Sequence, residues 1–277
     1  MIEVRSLAKS FAVPKPRRSW RWPVKGSDKA TAARAGDDGR VHAVVDVGFD
    51  APDGRITGLL GPNGAGKTTT LRMLAALIAP DAGTMHVDGI DVVERPREVL
   101  ARIGVLSDAR GLYPRLTARE NIVYYGELHG LSRDAAEARA LELARRFELT
   151  ALLDRRAAGF SQGERMKTAL CRALVHDPPN IVLDEPTNGL DVLATRALRE
   201  SLRWLRTPEG GGKCIVFSTH IMQEVERLCD GVVVVAHGRT VAAGTVDELL
   251  AQTGQSDFEE AFVELAFAAE RATAHAR

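Results

Sequence analysis

Residues 61–68 have the sequence Gly61-Pro62-Asn63-Gly64-Ala65-Gly66-Lys67-Thr68. The segment fits the phosphate-loop pattern, in which a glycine, four further residues and a second glycine precede Lys and then Ser or Thr. Its surroundings also fit, because residues 55–60 are predicted to form a strand and residues 69–74 a helix. Small residues let the backbone curl around a phosphate with its N–H groups inward, and the helix adds the positive end of its dipole. We therefore predict an α/β core that binds a phosphate group at this loop.

Two side chains of the loop have predicted roles of their own. Lys67 is expected to bridge the terminal phosphates of a nucleotide, and the Thr68 hydroxyl is expected to ligate Mg²⁺. The alternative is a glycine-rich turn that binds nothing, which the combination of strand, Lys-Thr pair and helix disfavours. The predicted nucleotide-binding residues are Gly61, Pro62, Asn63, Gly64, Ala65, Gly66, Lys67, Thr68 and Thr69.

A second segment places two acids side by side. Residues 181–183 are Ile-Val-Leu, which predicts a buried strand, and Asp184 and Glu185 follow at its carboxyl end. Adjacent carboxylates on a core strand are unfavourable unless something there uses their charge. A magnesium ion and an attacking water would use both, and the phosphate loop supplies the phosphate to go with them.

The composition limits the class of protein. The chain has 277 residues, of which 45% are hydrophobic and 27% charged, values typical of an ordinary globular domain. Because the formal net charge is zero, no nucleic-acid partner is expected. Apolar runs such as residues 232–236 have only strand length, and residues 1–5 lack the apolar core of a secretory signal. The three cysteines are expected to be buried, reduced thiols of a cytoplasmic protein: Cys171, Cys214 and Cys229.

The pattern of strands and helices predicts a single domain over residues 1–277. Residues 12–41 interrupt an N-terminal β-hairpin with a basic segment that is predicted to be a flexible insertion. Within it, residues 20–22 are Trp-Arg-Trp and could contact anionic lipid headgroups, the alternative being a solvated loop without a partner. Residues from about 108 to 165 are predicted to form a helical subdomain, and those from about 245 to 277 a C-terminal helical extension.

The predicted fold class is therefore α/β. It combines a phosphate-loop NTPase core and its mostly parallel sheet with an N-terminal antiparallel β-subdomain and an inserted α-helical subdomain. Thr117 and Glu120 have the spacing of a capping box at the start of the helical block, and a helix is predicted from Ser132 to about Phe147. Near the end of the chain, residues at helical spacing are predicted to form a packing face: Phe258, Ala261, Phe262 and Leu265.

A further motif at residues 161–164 has the sequence Ser161-Gln162-Gly163-Glu164. Ser and Glu at this spacing predict a capping box, and therefore a helix that begins here and continues to about Val175. A serine, a glycine and unpaired N–H groups at the start of a helix also form a second phosphate-binding surface. If the helical block holds it away from residues 61–68, this surface cannot readily serve the same phosphate within one subunit.

The motifs together resemble those of the nucleotide-binding subunits of ABC transporters. Their order matches that family: the phosphate loop, a signature at residues 161–164, an acidic strand at residues 181–185, a D-loop that contains Asp191, and Ser218-Thr219-His220 ending the next strand. The resemblance covers essentially the whole chain apart from the basic segment. The signature differs from the family's common Leu-Ser-Gly-Gly-Gln, although Ser161 and Gly163 keep their places.

The resemblance implies a head-to-tail dimer, expected to be a homodimer, with each ATP between the phosphate loop of one subunit and the signature of the other. It implies that Asp184 holds Mg²⁺, that Glu185 is the general base for the attacking water, and that His220 senses or stabilises the γ-phosphate. Phe11 is similar to the aromatic residue that stacks on adenine. The alternatives are a structural acid at Glu185, a histidine at a strand end without a role, and a core or edge aromatic at position 11.

One position departs from the family. Where the family has a glutamine after the strand at residues 103–106, this chain has Ser107-Asp108. Asp108 would then either ligate Mg²⁺ with a full charge or lie in the loop without reaching the metal, and both interpretations remain open. Residues 111–121 and 258–262 resemble the branch that includes sodium-extruding ABC exporters.

The resemblance implies an ATPase, which converts ATP and water to ADP and phosphate. It would drive solute movement, with export of sodium ion or a drug favoured, through a separate membrane permease on whose cytoplasmic side it sits. The alternative is a soluble ABC ATPase of translation or DNA repair, which usually carries two cassettes or a long coiled coil that this chain lacks. A regulator without turnover is a third hypothesis, which the presence of Glu185 disfavours.

Overall fold

The structure is a computed structural model that describes residues 1–12, 39–107 and 111–274, with side chains to residue 266. Most of the predicted basic insertion at 12–41, and also Asp108, therefore lie outside the described residues. At the edges of that insertion, Ala12 and Arg40 face each other as paired residues of a β-hairpin.

The described residues form a sheet of ten strands in the order β5-β4-β1-β2-β10-β9-β3-β8-β7-β6. The pairs β3–β8, β3–β9, β7–β8 and β6–β7 are parallel, whereas β1 pairs antiparallel with β2 and β4. The strands are β1 (Ile2–Ala12), β2 (Arg40–Ala51), β3 (Ile56–Leu60), β4 (Ala82–Val87), β5 (Ile90–Asp91), β6 (Ile103–Leu106), β7 (Asn180–Asp184), β8 (Cys214–Thr219), β9 (Gly231–Ala236) and β10 (Arg239–Gly244). The predicted fold class, a parallel core with an antiparallel N-terminal part, is confirmed.

The helices begin mostly where the sequence places capping residues. Thr117 and Ser161 each form a complete capping box, and Ser132 and Asp191 cap the helices that follow them. The helices are α1 (Lys67–Leu74), α2 (Pro96–Leu100), α3 (Ala118–Leu128), α4 (Arg133–Arg146), α5 (Gln162–Leu174), α6 (Val192–Leu205), α7 (Met222–Leu228), α8 (Val246–Thr253) and α9 (Phe258–Ala274). Helices α3 and α4 lie in the chain between β6 and β7, within the predicted helical block.

Apolar side chains on both faces of the parallel strands pack the sheet against the elements on either side of it. Ile181 and Leu183 pack with the helices of the inserted block, whereas Val182, on the opposite face of β7, packs with α1 and the antiparallel strands. Each of the three is at most 1% exposed, and burial of such a side chain contributes about 1.5–3 kcal/mol. A separate cluster joins α8 and α9 to β9 and contains the predicted packing face, Phe258, Ala261, Phe262 and Leu265, all of them buried.

The cysteines are free thiols, of which Cys171 and Cys214 are buried as predicted and Cys229 is only partly buried. Burial raises the pKa of each thiol above its ordinary value, that of Cys214 to about 12. Among the described residues, no helix has both the length and the apolar character needed to cross a bilayer.

Candidate active site

The phosphate loop connects β3 to α1 at the carboxyl edge of the parallel strands. Gly64 and Gly66 have positive φ angles of 82° and 108°, which favour glycine. A Cβ at Gly61 would lie 2.2 Å from the carbonyl oxygen of Val235, so this position has no room for a side chain. The loop backbone is therefore shaped by glycines, and α1 begins directly after it with a glycine at its N-cap.

Lys67 points back across this loop and is only 5% exposed. Its ammonium donates to the carbonyl oxygens of Gly61 at 2.7 Å and Pro62 at 3.3 Å. It also lies 3.3 Å from Oε1 of Glu185, which forms an ion pair between the loop and the acidic segment. A buried ammonium inside a ring of backbone is suited to meet the negative charge of a phosphate.

Asp184 ends β7, and the register of the sheet brings it beside β8. Its Oδ1 accepts one hydrogen bond from the Thr68 hydroxyl at 3.0 Å and one from the Ser218 hydroxyl at 2.6 Å. The hydroxyl of Thr68 and the carboxylate of Asp184 are the oxygen donors that a hard cation such as Mg²⁺ prefers. The residues present therefore fit a magnesium ion held between α1 and β7.

Glu185 lies just beyond the end of β7, so the predicted acidic strand is one residue too long. Its φ angle is 48°, a left-handed conformation that is uncommon for a residue with a Cβ. Its backbone N–H donates to the carbonyl oxygen and to the hydroxyl of Ser218, at 3.2 and 3.0 Å. This turn aims the carboxylate away from the sheet, toward Lys67 and the end of β8.

His220 follows β8 and contacts the same carboxylate. Its Nδ1 lies 2.8 Å from Oε2 of Glu185, and since a carboxylate only accepts, Nδ1 carries the proton in this bond. The imidazole is 40% exposed, whereas the Glu185 side chain is 20% exposed. The predicted residues Lys67, Thr68, Asp184, Glu185 and His220 are therefore in one connected network.

Ser218 belongs to this network and was not among the predicted site residues. It is fully buried, and its hydroxyl donates to the Asp184 carboxylate and accepts from the backbone N–H of Glu185. One sequence signal could have found it: Ser218 is a polar residue directly after the apolar run Cys-Ile-Val-Phe, residues 214–217.

The signature residues lie at the start of α5. The Ser161 hydroxyl accepts from the Glu164 N–H at 3.2 Å, and the Glu164 carboxylate accepts from the Ser161 N–H at 2.7 Å. Gln162 donates to the carbonyl oxygen of Asn188 at 3.0 Å. A Cβ at Gly163 would lie 3.0 Å from that of Ala194, so a small residue lets α5 approach α6. The signature is therefore in contact with the D-loop segment of its own chain.

The D-loop residue Asp191 serves locally as the N-cap of α6. Its carboxylate accepts from the N–H of Ala194 at 2.8 Å. The next two residues, Val192 and Leu193, are 82% and 79% exposed. An apolar pair on the first turn of a helix beside the signature is a surface that a partner could cover.

Phe11, on β1, and Asp108, after β6, complete the set of predicted site residues. Phe11 lies on β1 opposite Val41, is 41% exposed, and has the Lys9 ammonium 5.8 Å from its ring centre. Two residues further along β2, the carbonyl oxygen of Ala43 would be 2.5 Å from a Cβ at Gly66, so β2 lines the loop. Asp108 lies outside the described residues, but Ser107 before it borders the same cavity as Thr68 and Asp184.

Comparisons with known proteins agree with this geometry. Residues 44–188 match the family described as ABC transporter. The chain is 44% identical over 224 residues to the ABC transporter ATP-binding protein NatA of Bacillus subtilis (strain 168), covering 80% of this chain and 90% of that protein. It is 43% identical over 225 residues to the Nod factor export ATP-binding protein I of Paraburkholderia xenovorans (strain LB400), covering 79% of this chain and 71% of that protein.

A solved structure described as the ATP-binding subunit of an ABC transporter superposes with a TM-score of 0.75. It is 29% identical and covers 95% of this chain and 98% of that chain. The chain therefore belongs to the ABC transporter family and contains its ATP-binding domain, a class of domain that hydrolyses ATP.

Proposed function

We propose that this chain is the ATP-hydrolysing subunit of an ABC exporter, which couples ATP binding and hydrolysis to solute movement through a separate membrane permease. The observation that carries the proposal is the network of Lys67, Thr68, Asp184, Glu185 and His220 at the phosphate loop. The network contains a cation that can bind phosphate, oxygen atoms that can ligate a metal and a carboxylate that can accept a proton from water. Phosphoryl transfer to water requires these three parts.

The loop binds the phosphates of ATP. Its backbone N–H groups and the Lys67 ammonium neutralise their charge, and the loop residues predicted from sequence, from Gly61 to Thr69, form this cradle. The Thr68 hydroxyl and the Asp184 carboxylate would hold Mg²⁺, which would supply further charge neutralisation when bound. Phe11 stacks on the adenine ring, a role that its exposed ring and its place on the hairpin beside the loop support.

Glu185 acts on the attacking water. One carboxylate oxygen faces Lys67 and the other faces His220, so the side chain is oriented before the reaction. As general base it takes a proton from water while the oxygen of that water attacks the γ-phosphorus. The bond from this phosphorus to the β–γ bridging oxygen breaks, and ADP and phosphate are released. His220 donates its Nδ1–H to Glu185, and Nε2, when it also carries a proton, donates to the γ-phosphate. Such proton transfer contributes about 10²–10⁴-fold to a rate.

A second copy of the chain is proposed to complete the site. Ser161 and Gln162 are exposed at the N-terminus of α5, where N–H groups favour an anion. The exposed Val192 and Leu193 lie beside them and are proposed to be covered in the same contact. The arrangement is a head-to-tail homodimer in which the signature of each copy closes the phosphate loop of the other.

Export is proposed because the relatives' names concern transport: one is named for Nod factor export and the other as an ABC transporter protein. The soluble alternative, a translation or DNA-repair ATPase, is not favoured by these names. The permease is proposed to hold the chain at the cytoplasmic face of the cell membrane, and the exported solute, sodium ion or a drug, is chosen by that permease.

The proposal is tested with the multi-span membrane protein that we expect the neighbouring reading frame to encode. The two proteins are co-expressed, purified together and placed in vesicles, and ATP-driven movement of ²²Na⁺ or a fluorescent drug is measured. Transport by the parental chain but not by the Lys67→Ala chain is expected. ATP hydrolysis without a co-purifying membrane protein, and with no solute moved, would contradict the coupling while leaving the ATPase intact.

A further inference from the structure

We propose that Ser218 is a positioning residue that sets the geometry of both acids, Asp184 and Glu185, and thereby the Mg²⁺-dependent turnover of ATP. The inference rests on the proposed function of the site. It assigns a role to a side chain that touches neither phosphate nor metal in the scheme above. Its basis is a set of contacts that link the two acids through a single buried hydroxyl.

The first contact fixes the metal-holding acid. Ser218 Oγ lies 2.6 Å from Oδ1 of Asp184, a distance typical of a strong bond from a hydroxyl to a carboxylate. The same oxygen accepts the Thr68 hydroxyl at 3.0 Å from the opposite element, α1. Ser218 and Asp184 are register partners on adjacent strands. The hydroxyl on β8 therefore restrains rotation of the Asp184 carboxylate.

The second contact fixes the base. A serine hydroxyl has one proton, which goes to Asp184, so its lone pairs are left to accept. One of them accepts the Glu185 N–H at 3.0 Å. Glu185 has a left-handed φ of 48°, and this bond supports that unfavourable backbone at the point where the carboxylate is aimed.

A substitution can separate the contribution of the Ser218 hydroxyl from that of the Ser218 backbone. The Glu185 N–H also bonds the Ser218 carbonyl oxygen at 3.2 Å, and Ser218→Ala keeps that bond while it removes both bonds of the hydroxyl. The position is fully buried, so water cannot readily replace the missing donor. Removal of the hydroxyl therefore loosens Asp184 and Glu185 together.

Thr240 offers a matched control. Its hydroxyl also donates and accepts between two strands, with the carbonyl oxygen and the N–H of Gly48 at 3.0 and 3.2 Å. It lies on β10, outside the network of acids. Thr240→Val removes an equivalent pair of hydrogen bonds and leaves the site intact, so it reports the general effect of losing such a hydroxyl.

The experiment compares the parental chain, Ser218→Ala, Ser218→Thr and Thr240→Val. We measure kcat and KM for ATP, the Mg²⁺ concentration that half-saturates binding of a fluorescent ATP analogue, and the Tm. For Ser218→Ala we expect kcat to fall, and the half-saturating Mg²⁺ concentration to rise, each by about 10–100-fold, because groups that orient a metal ligand have effects of this size. KM for ATP and analogue binding in EDTA stay near parental, and Ser218→Thr recovers most of the loss.

The inference is overturned if folded Ser218→Ala matches Thr240→Val in both kcat and Mg²⁺ dependence, or if folded Ser218→Thr is as impaired as Ser218→Ala. Should Ser218→Ala fail to fold, Ser218→Cys keeps the volume with a much weaker donor and is held to the same comparison. A parental chain that does not hydrolyse ATP would refute the proposed function instead, so the two failures are distinguishable.

Discussion

The phosphate-loop site and the signature surface differ in what surrounds their polar groups. In the first, Lys67 is 5% exposed and Glu185 is contacted from α1 and from the end of β8. In the second, Ser161 and Gln162 are exposed, and within the described part of the chain they bond to the local turn and the D-loop segment. Oriented buried charges are ready to act on a bound phosphate, whereas an exposed helix N-terminus offers N–H groups to an anion brought from outside. The difference supports the proposed dimer, in which one chain holds the catalytic groups and a second copy closes the site.

The largest effect on ATP binding is expected inside the buried site. Lys67→Ala should weaken ATP binding by about 30-fold or more, because loss of a buried charged partner costs about 2–5 kcal/mol. Titration of a fluorescent ATP analogue measures this. Lys167→Ala is the control, because that lysine pairs with the exposed Glu148 on the surface. Unchanged affinity in the Lys67→Ala chain would remove the loop from the site.

The role of the exposed signature surface is tested by mixing two inactive variants. Ser161→Arg should abolish turnover by blocking the signature surface, and Ser132→Arg, which alters another helix N-cap, should not. A mixture of Lys67→Ala and Ser161→Arg chains should regain part of the parental ATPase rate, since mixed dimers contain one intact composite site. If the mixture stays inactive although mixed dimers form, each site lies within one chain.

The smallest effect is expected at Asp108. If its carboxylate acts beside Thr68 and Asp184, Asp108→Asn should raise the Mg²⁺ concentration for half-maximal ATPase activity by about tenfold. Asp108→Gln should do less, because it introduces the glutamine that the family has after this strand. Identical magnesium dependence in the parental chain and both variants would locate Asp108 outside the metal shell.

Much of this architecture follows from local sequence patterns. The phosphate loop, the capping boxes at Thr117 and Ser161 and the helix that follows Ser132 are each determined by a few adjacent residues, so they could be predicted. The role of Ser218 could not, because it depends on β8 lying between β3 and β7, an order that no local pattern encodes. The left-handed turn at Glu185 escaped prediction for a similar reason, since bonds from β8 stabilise it.

The contact between signature and D-loop is likewise a tertiary property. Gly163 suggests a phosphate-binding turn from sequence, but in the fold its missing side chain also makes room for Ala194. Asp191 was predicted as a D-loop residue, and its local use as the cap of α6 is a second role that the same carboxylate fills. The neighbours of Gly163 are therefore set by packing, whereas the cap at Asp191 is a local contact between adjacent residues.

The central claim is that Glu185 drives ATP hydrolysis at a site shared between two copies. It is tested most directly by the ATPase rate and the ATP-dependent mass of Glu185→Gln, measured by light scattering. Glu200→Gln serves as control, because Glu200 pairs with Arg196 on the surface of α6. The account predicts a rate lower by about 10²–10⁴-fold, the range for loss of a general base, with a dimer that accumulates in ATP. A parental rate, or a monomer that binds ATP without dimerising, would contradict it.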